Sequence, residues 1–555
     1  MQETLLDLLG HGASDHIALV EPDGRSFSYD SLRSHVNRLG SDLLARGITR
    51  NDRVAMVLPN NAESVIAFLA VSSVAVAAPL NPGYKLDEFK FYLDDVDARA
   101  LITSESIGEE ARHASGERII QIGLTDDNGE LSFSNDKGQN SGDSVTPTVT
   151  DQALVLHTSG TTSRPKRVPL NHGNLTKSVG NIVKTYQLND EDVSFCVMPL
   201  FHVHGLVASV LATLSSGGTI VLPGKFNPMR FWPALAEYKA TWYSAVPSIH
   251  QALLNRMSRE QKKPEGLDNL RFIRSCSSAL PPATMLGMEK ILQIPILEAY
   301  GMTEASHQMS SNPLPPGKRV PGTVGQGTGV EIGTMSDAGK LLASGERGEV
   351  VIKGSNVTLG YENNDEANKA SFTDGWFRTG DEGIIDQQQY LTLVGRIKEL
   401  INRSGEKISP LEIDDILLGH PSVAEAVAFG VPHPTYGEEP AACVVLNGDT
   451  TSQDLVKYCR EHLADFKVPK NIHIVDEIPK TATGKVQRRF VAAAFIKEQG
   501  RSDRDVVRCY EHCDYWGRSY WWIPRSKASS VWRKCFSGSS GETFGSHAVT
   551  GLKDY

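Results

Sequence analysis

The sequence predicts an α/β protein with a large N-terminal domain of mainly parallel sheets flanked by helices, a late β subdomain, and a small α+β domain at the end. Three observations carry that reading. At 555 residues the chain is too long for one ordinary hydrophobic core. Strand-like and helix-like hydrophobic patterns alternate along most of it, which implies a parallel sheet covered by helices. Beyond Lys398 the pattern changes to a compact mixture of helix and short strands.

The elements follow in order. Leu32, Val36, Leu39 and Leu43 recur at helical spacing, and Gly47 closes that segment. RVAMVLPN (53–60) reads as a buried strand. Phe89, Leu93 and Val96 mark another helix, and ALIT (100–103) the strand after it. TIVL, WYSAV and PILEAY add strands. Two charge-poor stretches, 64–80 and 205–224, invite a membrane reading. The first is too short and ends at Pro79; the second contains Gly217-Gly218 and reads as a helix followed by a strand. Both are expected to be buried core. GTVGQGTGVEI (322–332) has a GxGxG-like string without a strand–turn–helix setting, so it reads as a turn. EVVIKG and QYLTLVGR read as strands of the β subdomain. In QDLVKYCREHL, Leu455, Cys459 and Leu463 share one helical face.

Composition narrows the function. Apolar residues at 40% and charged residues at 22% mark a soluble globular chain. A net charge of −10 argues against general nucleic-acid binding. Seven cysteines without framework spacing suggest a reducing compartment. The N-terminus has too short an apolar run for a signal peptide. The last 55 residues change character: four of the seven tryptophans and three of the seven cysteines lie after residue 500. Cys509, His512, Cys513 and Cys535 could hold zinc, but their spacing is not a standard one, and an unstructured or artefactual tail is the competing reading.

The most informative segment is LHTSGTTSRPKRVPL (156–170). Thr158, Ser159, Gly160, Thr161 and Thr162 crowd hydroxyls and glycine into one turn, and Lys166 adds a cation. Such a loop suits a polyphosphate, although Walker A spacing is absent and a polar surface turn has the same composition. The loop resembles the phosphate-binding motif of the acyl-adenylate-forming superfamily. Other strings resemble that family's motifs in the right order. They are Pro199-Leu200-Phe201-His202, Glu298-Ala299-Tyr300-Gly301-Met302-Thr303-Glu304, Thr379-Gly380-Asp381, Gly395-Arg396-Ile397-Lys398-Glu399 and Pro479-Lys480-Thr481-Ala482-Thr483-Gly484-Lys485. The resemblance covers residues 1 to roughly 497. It implies an adenylation domain over 1–397, a mobile C-terminal domain over 398–497 and an atypical tail over 498–555. Within the superfamily, HTSGTTSRPK, PLFHVHGL, ATWYSAVPSIHQ, RFIRSCSSAL, MSSNPLP, GRIKELINRSGEKISP and FGVPHPTYGEE resemble the plant and fungal oxalate–CoA ligase branch.

The resemblance implies a two-step reaction. A carboxylate attacks the α-phosphate of ATP and releases pyrophosphate; the thiol of coenzyme A then displaces AMP from the acyl-adenylate. Thr158 to Thr162 and Lys166 would hold phosphates, and Glu304, beside Thr303, would bind Mg²⁺. Ser277, Ser278, Ala279 and the Glu298–Thr303 string would line the adenine site, with Tyr300 as its flat face. Asp381 and Arg396 would take the ribose. His202 belongs to the aromatic-histidine motif. Lys485 would stabilise charge growing on the carboxylate and α-phosphate. Lys398 would be the hinge, and rotation there would present Ser404, Gly405 and Glu406 to coenzyme A.

By motif alignment, His204, Arg274, Ser277, Ala299 and Gly301 fall at acyl-pocket positions, with His307 close by. Arg274 is always charged and matches a carboxylate. A small dicarboxylate, with oxalate the smallest, would relieve its burial; pairing with a protein acid is the alternative. A CoA ligase for a medium-chain or aromatic acid and a catalytically impaired nucleotide-binding relative are the other functions considered. Two positions depart from the wider superfamily, which has Gly at both: Ser163 and Arg167. If position 167 needed φ > 0, Arg167 would strain the loop, or its charge would disturb the triphosphate. A monomer or weak homodimer is expected. The last residues, Lys553-Asp554-Tyr555, are no peroxisomal address, so the expected location is the cytoplasm, with the peroxisome as the alternative.

Overall fold

A computed structural model describes residues 3–127, 129–134, 146–158, 165–481 and 484–499. Residues 3–499 belong to one compact unit. Among the described residues, four sheets organise it. The first has seven strands in the order Glu130–Phe133, Ile120–Asp127, Ala98–Ser104, Arg53–Val57, Val76–Pro79, Gln152–Thr158 and Lys166–Asn171. Its four inner pairings are parallel, and antiparallel strands close both edges. The second has nine strands. Its parallel centre runs Ile296–Met302, Phe272–Ser275, Trp242–Ala245, Val193–Phe195, Thr219–Val221 and Ile17–Val20. His307–Ser311 and Gln326–Gly327 extend one edge in antiparallel fashion.

Helices from the predicted patterns cover these sheets. Tyr29–Ala45 buries Leu32, Val36, Leu39 and Leu43, with Ser28 capping its first turn. Ala62–Val74 is buried nearly all round, which is why 64–80 reads as apolar throughout. No helix among the described residues is long and apolar enough to cross a membrane. The 205–224 stretch does start as a helix and end as the strand Thr219–Val221. Its first part is a π-helix, His204–Leu211, a widened geometry that hydrophobic spacing does not signal. The Gly-rich 322–332 segment is turns, as expected, with the two-residue strand Gln326–Gly327 inside it. Gly325, at φ +73, passes so close to Ser311 that a Cβ would overlap its backbone.

The third sheet is antiparallel: Glu331–Met335, Arg347–Lys353, Trp376–Ile385 and Phe372–Thr373, with Leu391–Arg396 pairing on Trp376–Ile385. The fourth, over Ile401–Ile474, is the mixed sheet of the C-terminal α+β region. The helix Ser452–His462 packs there with Leu455 and Cys459 fully buried, as its pattern predicts. Residues 500–555, including Cys509, His512, Cys513 and Cys535, lie outside the described residues, as do Ser159, Gly160, Thr161, Thr162 and Ser163.

Candidate functional site

Three neighbouring parallel strands build the acyl side of the site. Ser244 and Arg274 are register partners on adjacent strands, so their side chains share one face of the sheet. Arg274 is fully buried. Its Nε donates to Tyr186 Oη at 2.9 Å and its Nη1 to Ser244 Oγ at 2.9 Å. Its Nη2 donates to Gln308 Oε1 at 3.1 Å and to His307 Nδ1 at 3.3 Å. Among the described residues no carboxylate lies within ion-pairing distance of this guanidinium. The alternative of a protein acid beside Arg274 is therefore not what the structure contains. The cation is buried, satisfied by neutral acceptors, and uncompensated in charge.

The two histidines are neutral rather than basic. Burial pushes His204 and His307 well below the ordinary imidazole value; the neighbouring histidine adds to it for His204, and Arg274 adds for both. Their tautomers follow from the donors around them. Arg274 can only donate, so His307 Nδ1 accepts and the ring proton sits on Nε2. Arg274 Nη1, which can only donate, also faces His204 Nε2 at 3.5 Å, so that nitrogen accepts and the Ser244 hydroxyl, itself accepting from Arg274, donates to it at 2.6 Å. His204 Nδ1–H then donates to Ser277 Oγ at 3.0 Å and leaves the Ser277 hydroxyl proton directed elsewhere. Ser277 itself sits at φ +79, next to the buried end of the Phe272–Ser275 strand. Gly301 must be glycine: a Cβ there would come 1.9 Å from the His307 carbonyl oxygen. Ala299, on the same strand, is buried. Sequence reasoning missed Tyr186, Ser244 and Gln308. Ser244 lies inside the recognised string ATWYSAVPSIHQ, and Gln308 directly follows His307, so proximity to a motif was the available signal.

On the nucleotide side, the Tyr300 hydroxyl donates to the Asp381 carboxylate, which also pairs with Arg396 Nε at 2.7 Å. Asp381 and Arg396 are register partners on paired antiparallel strands, which explains that pair. Burial raises the Asp381 carboxyl, and Arg396 opposes the rise. Glu298 differs from the expectation of a ligand-facing residue. Its carboxyl is buried and accepts from the Leu280 backbone at 2.7 Å, and burial pushes it up to about 8. It supports the Ser277–Ala279 loop from below; Ser278 is exposed, while Ala279 and Met302 are half-buried.

Glu304 is buried in a short 3₁₀ turn, Thr303–Ala305, with Thr303 buried beside it. Its Oε1 accepts from Tyr361 Oη at 2.8 Å. Lys166 Nζ sits over the Tyr361 ring, 4.3 Å from its centroid. Thr158 ends the strand across from Lys166. Lys485 lies within electrostatic reach of Glu304, Asp381, Arg396 and three histidines, and burial lowers its ammonium. The half-buried His202 is pushed down to about 3, by burial first and then by Lys485. The loop that carries Lys485 is pinned where Ser248 Oγ donates to the Gly484 carbonyl at 3.0 Å. Lys398 is in the 3₁₀ turn Ile397–Glu399, and Ser404, Gly405 and Glu406 form an exposed turn between two short strands.

Arg167 corrects the sequence reading. It lies in the strand Lys166–Asn171 without positive φ, so no left-handed strain arises. Adjacent strand residues face opposite ways, so Arg167 points away from Lys166. It bonds the Asp95 carbonyl and lies 3.6 Å from the Asp95 carboxylate and 3.7 Å from Glu362. Its charge is taken up by two acids and is not an added cation for a triphosphate.

Known proteins place this geometry. The sequence pattern of the AMP-binding enzyme family matches residues 10–362, and that of the AMP-binding enzyme C-terminal domain matches 412–485. The chain belongs to the AMP-binding enzyme family, and within it the chain is an acid–CoA ligase. It is 46% identical to an oxalate–CoA ligase of Arabidopsis thaliana over 88% of this chain and 98% of that protein. It is 45% identical to an oxalate–CoA ligase of Saccharomyces cerevisiae over 87% and 95%. The fold superposes on ATP-bound MatB from Rhodopseudomonas palustris with a TM-score of 0.82 and 29% identity, covering 90% of this chain and 100% of that one.

Proposed function

We propose that the chain forms oxalyl-CoA from oxalate, ATP and coenzyme A. One carboxylate oxygen of oxalate bonds to the α-phosphorus of ATP, the bond to the pyrophosphate oxygen breaks, and pyrophosphate leaves. The sulfur of coenzyme A then bonds to the activated carbon, AMP departs with the bridging oxygen, and the thiol proton passes to solvent. The observation that carries the choice of acid is Arg274. A buried cation among neutral partners is stabilised by a substrate that brings a second negative charge. The Ser277 hydroxyl and the His307 Nε2–H would receive that second carboxylate, one shell out from Arg274. The 46% identity to an oxalate–CoA ligase supports the same choice.

Thr158 and Lys166, with Ser159 to Thr162, would hold the phosphates. Tyr300 would stack on adenine, and Asp381 with Arg396 would take the ribose. Lys485 would neutralise charge at the α-phosphate, where positioning and charge matter more than covalent help. Glu304 keeps one carboxylate oxygen free of Tyr361, which fits a hard cation held mainly by phosphates and water. When bound, Mg²⁺ supplies charge neutralisation on the leaving pyrophosphate. Rotation at Lys398 would then withdraw Lys485 and bring Ser404, Gly405 and Glu406 to coenzyme A.

The test is pyrophosphate release with ATP, Mg²⁺ and coenzyme A over oxalate, malonate, acetate, a medium-chain fatty acid and coumarate. Oxalate should dominate. Arg274→Met should lower kcat/KM for oxalate by about a hundredfold or more while leaving acetate little changed, because only the second carboxylate is affected. A preference for an apolar acid would sink the choice of oxalate.

A further inference from the structure

One buried aromatic has no part in the reaction as written above. Tyr361 lies in the connection between the strand Arg347–Lys353 and the helix Asp365–Ser371. The loop has no regular structure but is tied at each step. Thr358 N donates to the Glu304 carbonyl at 2.7 Å, and Thr358 Oγ1 to the Pro169 carbonyl at 2.8 Å. Asn368 closes both backbone groups of Tyr361, accepting from its N–H at 2.7 Å and donating to its carbonyl at 2.9 Å. The next residue, Glu362, donates its N–H to the Arg167 carbonyl at 3.1 Å, and its carboxylate takes Arg53 at 3.0 Å and Gln152 at 3.1 Å. Many independent ties on five residues fix where one ring goes.

That ring stands between a cation and a carboxylate. Its face carries Lys166 Nζ, and its hydroxyl holds Glu304 Oε1. Among the described residues, Lys166 and Glu304 make no ion pair with each other or with any other charged side chain. Without the ring, two opposite charges in a half-buried cleft would close on each other, and any ligand would first have to part them. An aromatic face holds a cation by its quadrupole without neutralising it. A phenolic O–H orients one carboxylate oxygen and leaves the other open.

We propose that Tyr361 is a positioning residue for the nucleotide and its metal: it holds Lys166 and Glu304 apart and aimed, so that polyphosphate meets the one and a divalent cation the other. The proposal rests on the ATP-dependent reading of the site. Arg167 belongs to the same device, because its carbonyl and guanidinium both anchor Glu362, the neighbour of Tyr361.

The experiment uses the full chain, Tyr361→Phe and Tyr361→Leu. ATP binding is measured by calorimetry with EDTA and with Mg²⁺, beside the Mg²⁺ dependence of pyrophosphate release and the melting temperature. Tyr361→Phe keeps the ring and loses the hydroxyl. It should bind metal-free ATP like the parent, yet need about tenfold more Mg²⁺ for half-maximal rate. Tyr361→Leu also loses the aromatic face, and its metal-free ATP affinity should fall by about fivefold to tenfold as Lys166 closes on Glu304. Unchanged Mg²⁺ dependence in Tyr361→Phe, or a lowered melting temperature with all binding unchanged, would overturn the proposal and leave the ligase reading intact. Absence of ATP binding by the parent chain, with or without Mg²⁺, would remove both.

Discussion

A buried arginine with only neutral partners organises its neighbours by donating to them. Arg274 has donors on three nitrogens and nothing to accept with, so each group it touches must turn an acceptor inward. That requirement reaches His307 directly and His204 through Ser244, and it fixes where the last protons point. Ser244→Ala removes the relay while leaving Arg274 and the pocket volume nearly intact. His204 Nε2 then accepts only from Arg274 Nη1, at the long distance of 3.5 Å. We expect KM for oxalate to rise by about fivefold to twentyfold with kcat less affected, since one oriented donor loosens. Nitrogen chemical shifts of labelled histidine should show His204 losing its single Nδ1–H tautomer. An unaltered tautomer and KM would show that Ser244 has no such role.

At the scale of the element, strand alternation decides what two adjacent cations do. Lys166 faces the cleft, and Arg167 faces the cluster of His157, Asp95, Glu362 and Arg53 beneath it. Arg167→Gly would leave Asp95 with His157 and Glu362 with Arg53, so the loss is partial. A stability decrease on the order of 2 kcal/mol is expected from thermal or urea unfolding, without any gain in turnover. A faster enzyme of unchanged stability would restore the view of Arg167 as a damaged phosphate loop. The same element shows what was legible in the chain. Continuous apolar runs placed the strands Arg53–Val57 and Ala98–Ser104, which are buried on both faces, and helical period placed Tyr29–Ala45 and Ser452–His462, which each bury one side. Motif strings marked Arg274, His204 and Ser277, closeness to Glu304 marked His307, and the structure brings the four together. The partners that decide their charge and tautomer were not legible. Tyr186, Ser244 and Gln308 come from a helix and two strands far apart in sequence, and only sheet register makes them neighbours. The π-helix at His204 was hidden for a related reason: a widened turn keeps nearly the same hydrophobic spacing.

Across the whole molecule, burial shifts acids and histidines in opposite senses, and their balance sets a pH optimum for stability. His172, His202, His204, His250 and His307 are all held below the ordinary imidazole value by burial. A lowered folded value means stability that is present above about pH 6.5 and lost as pH falls below it, because the unfolded chain takes up the protons. Glu298, Asp381, Asp414 and Asp415 are raised by burial, Glu298 to about 8 and Asp415 to about 7. A raised folded value works the other way: its contribution is complete below the unfolded carboxyl value and is lost as pH rises through the folded one. Between about pH 4.5 and 6.5 the five histidines outweigh the four carboxyls, so stability climbs with pH. Above 6.5 the histidines fall silent while Glu298 and Asp415 still act, so it declines toward pH 8. The melting temperature should therefore peak near pH 6.5. Glu298 and Asp415 matter most to the alkaline side, and Asp415, on the helix Pro410–Leu418, adds its charge to the shift of Glu298 on the nine-stranded sheet. Two ionised carboxylates across that seam would repel. Glu298→Gln keeps an oxygen for the Leu280 N–H and removes one of the charges. Melting curves from pH 5 to 8.5 should show a steeper climb on the acid side, where Glu298 no longer opposes the histidines, and a reduced alkaline decline, worth on the order of 2 kcal/mol between pH 6.5 and 8. An equally steep alkaline decline in Glu298→Gln would mean that Glu298 is already ionised in the folded chain across this range and that other groups drive the loss.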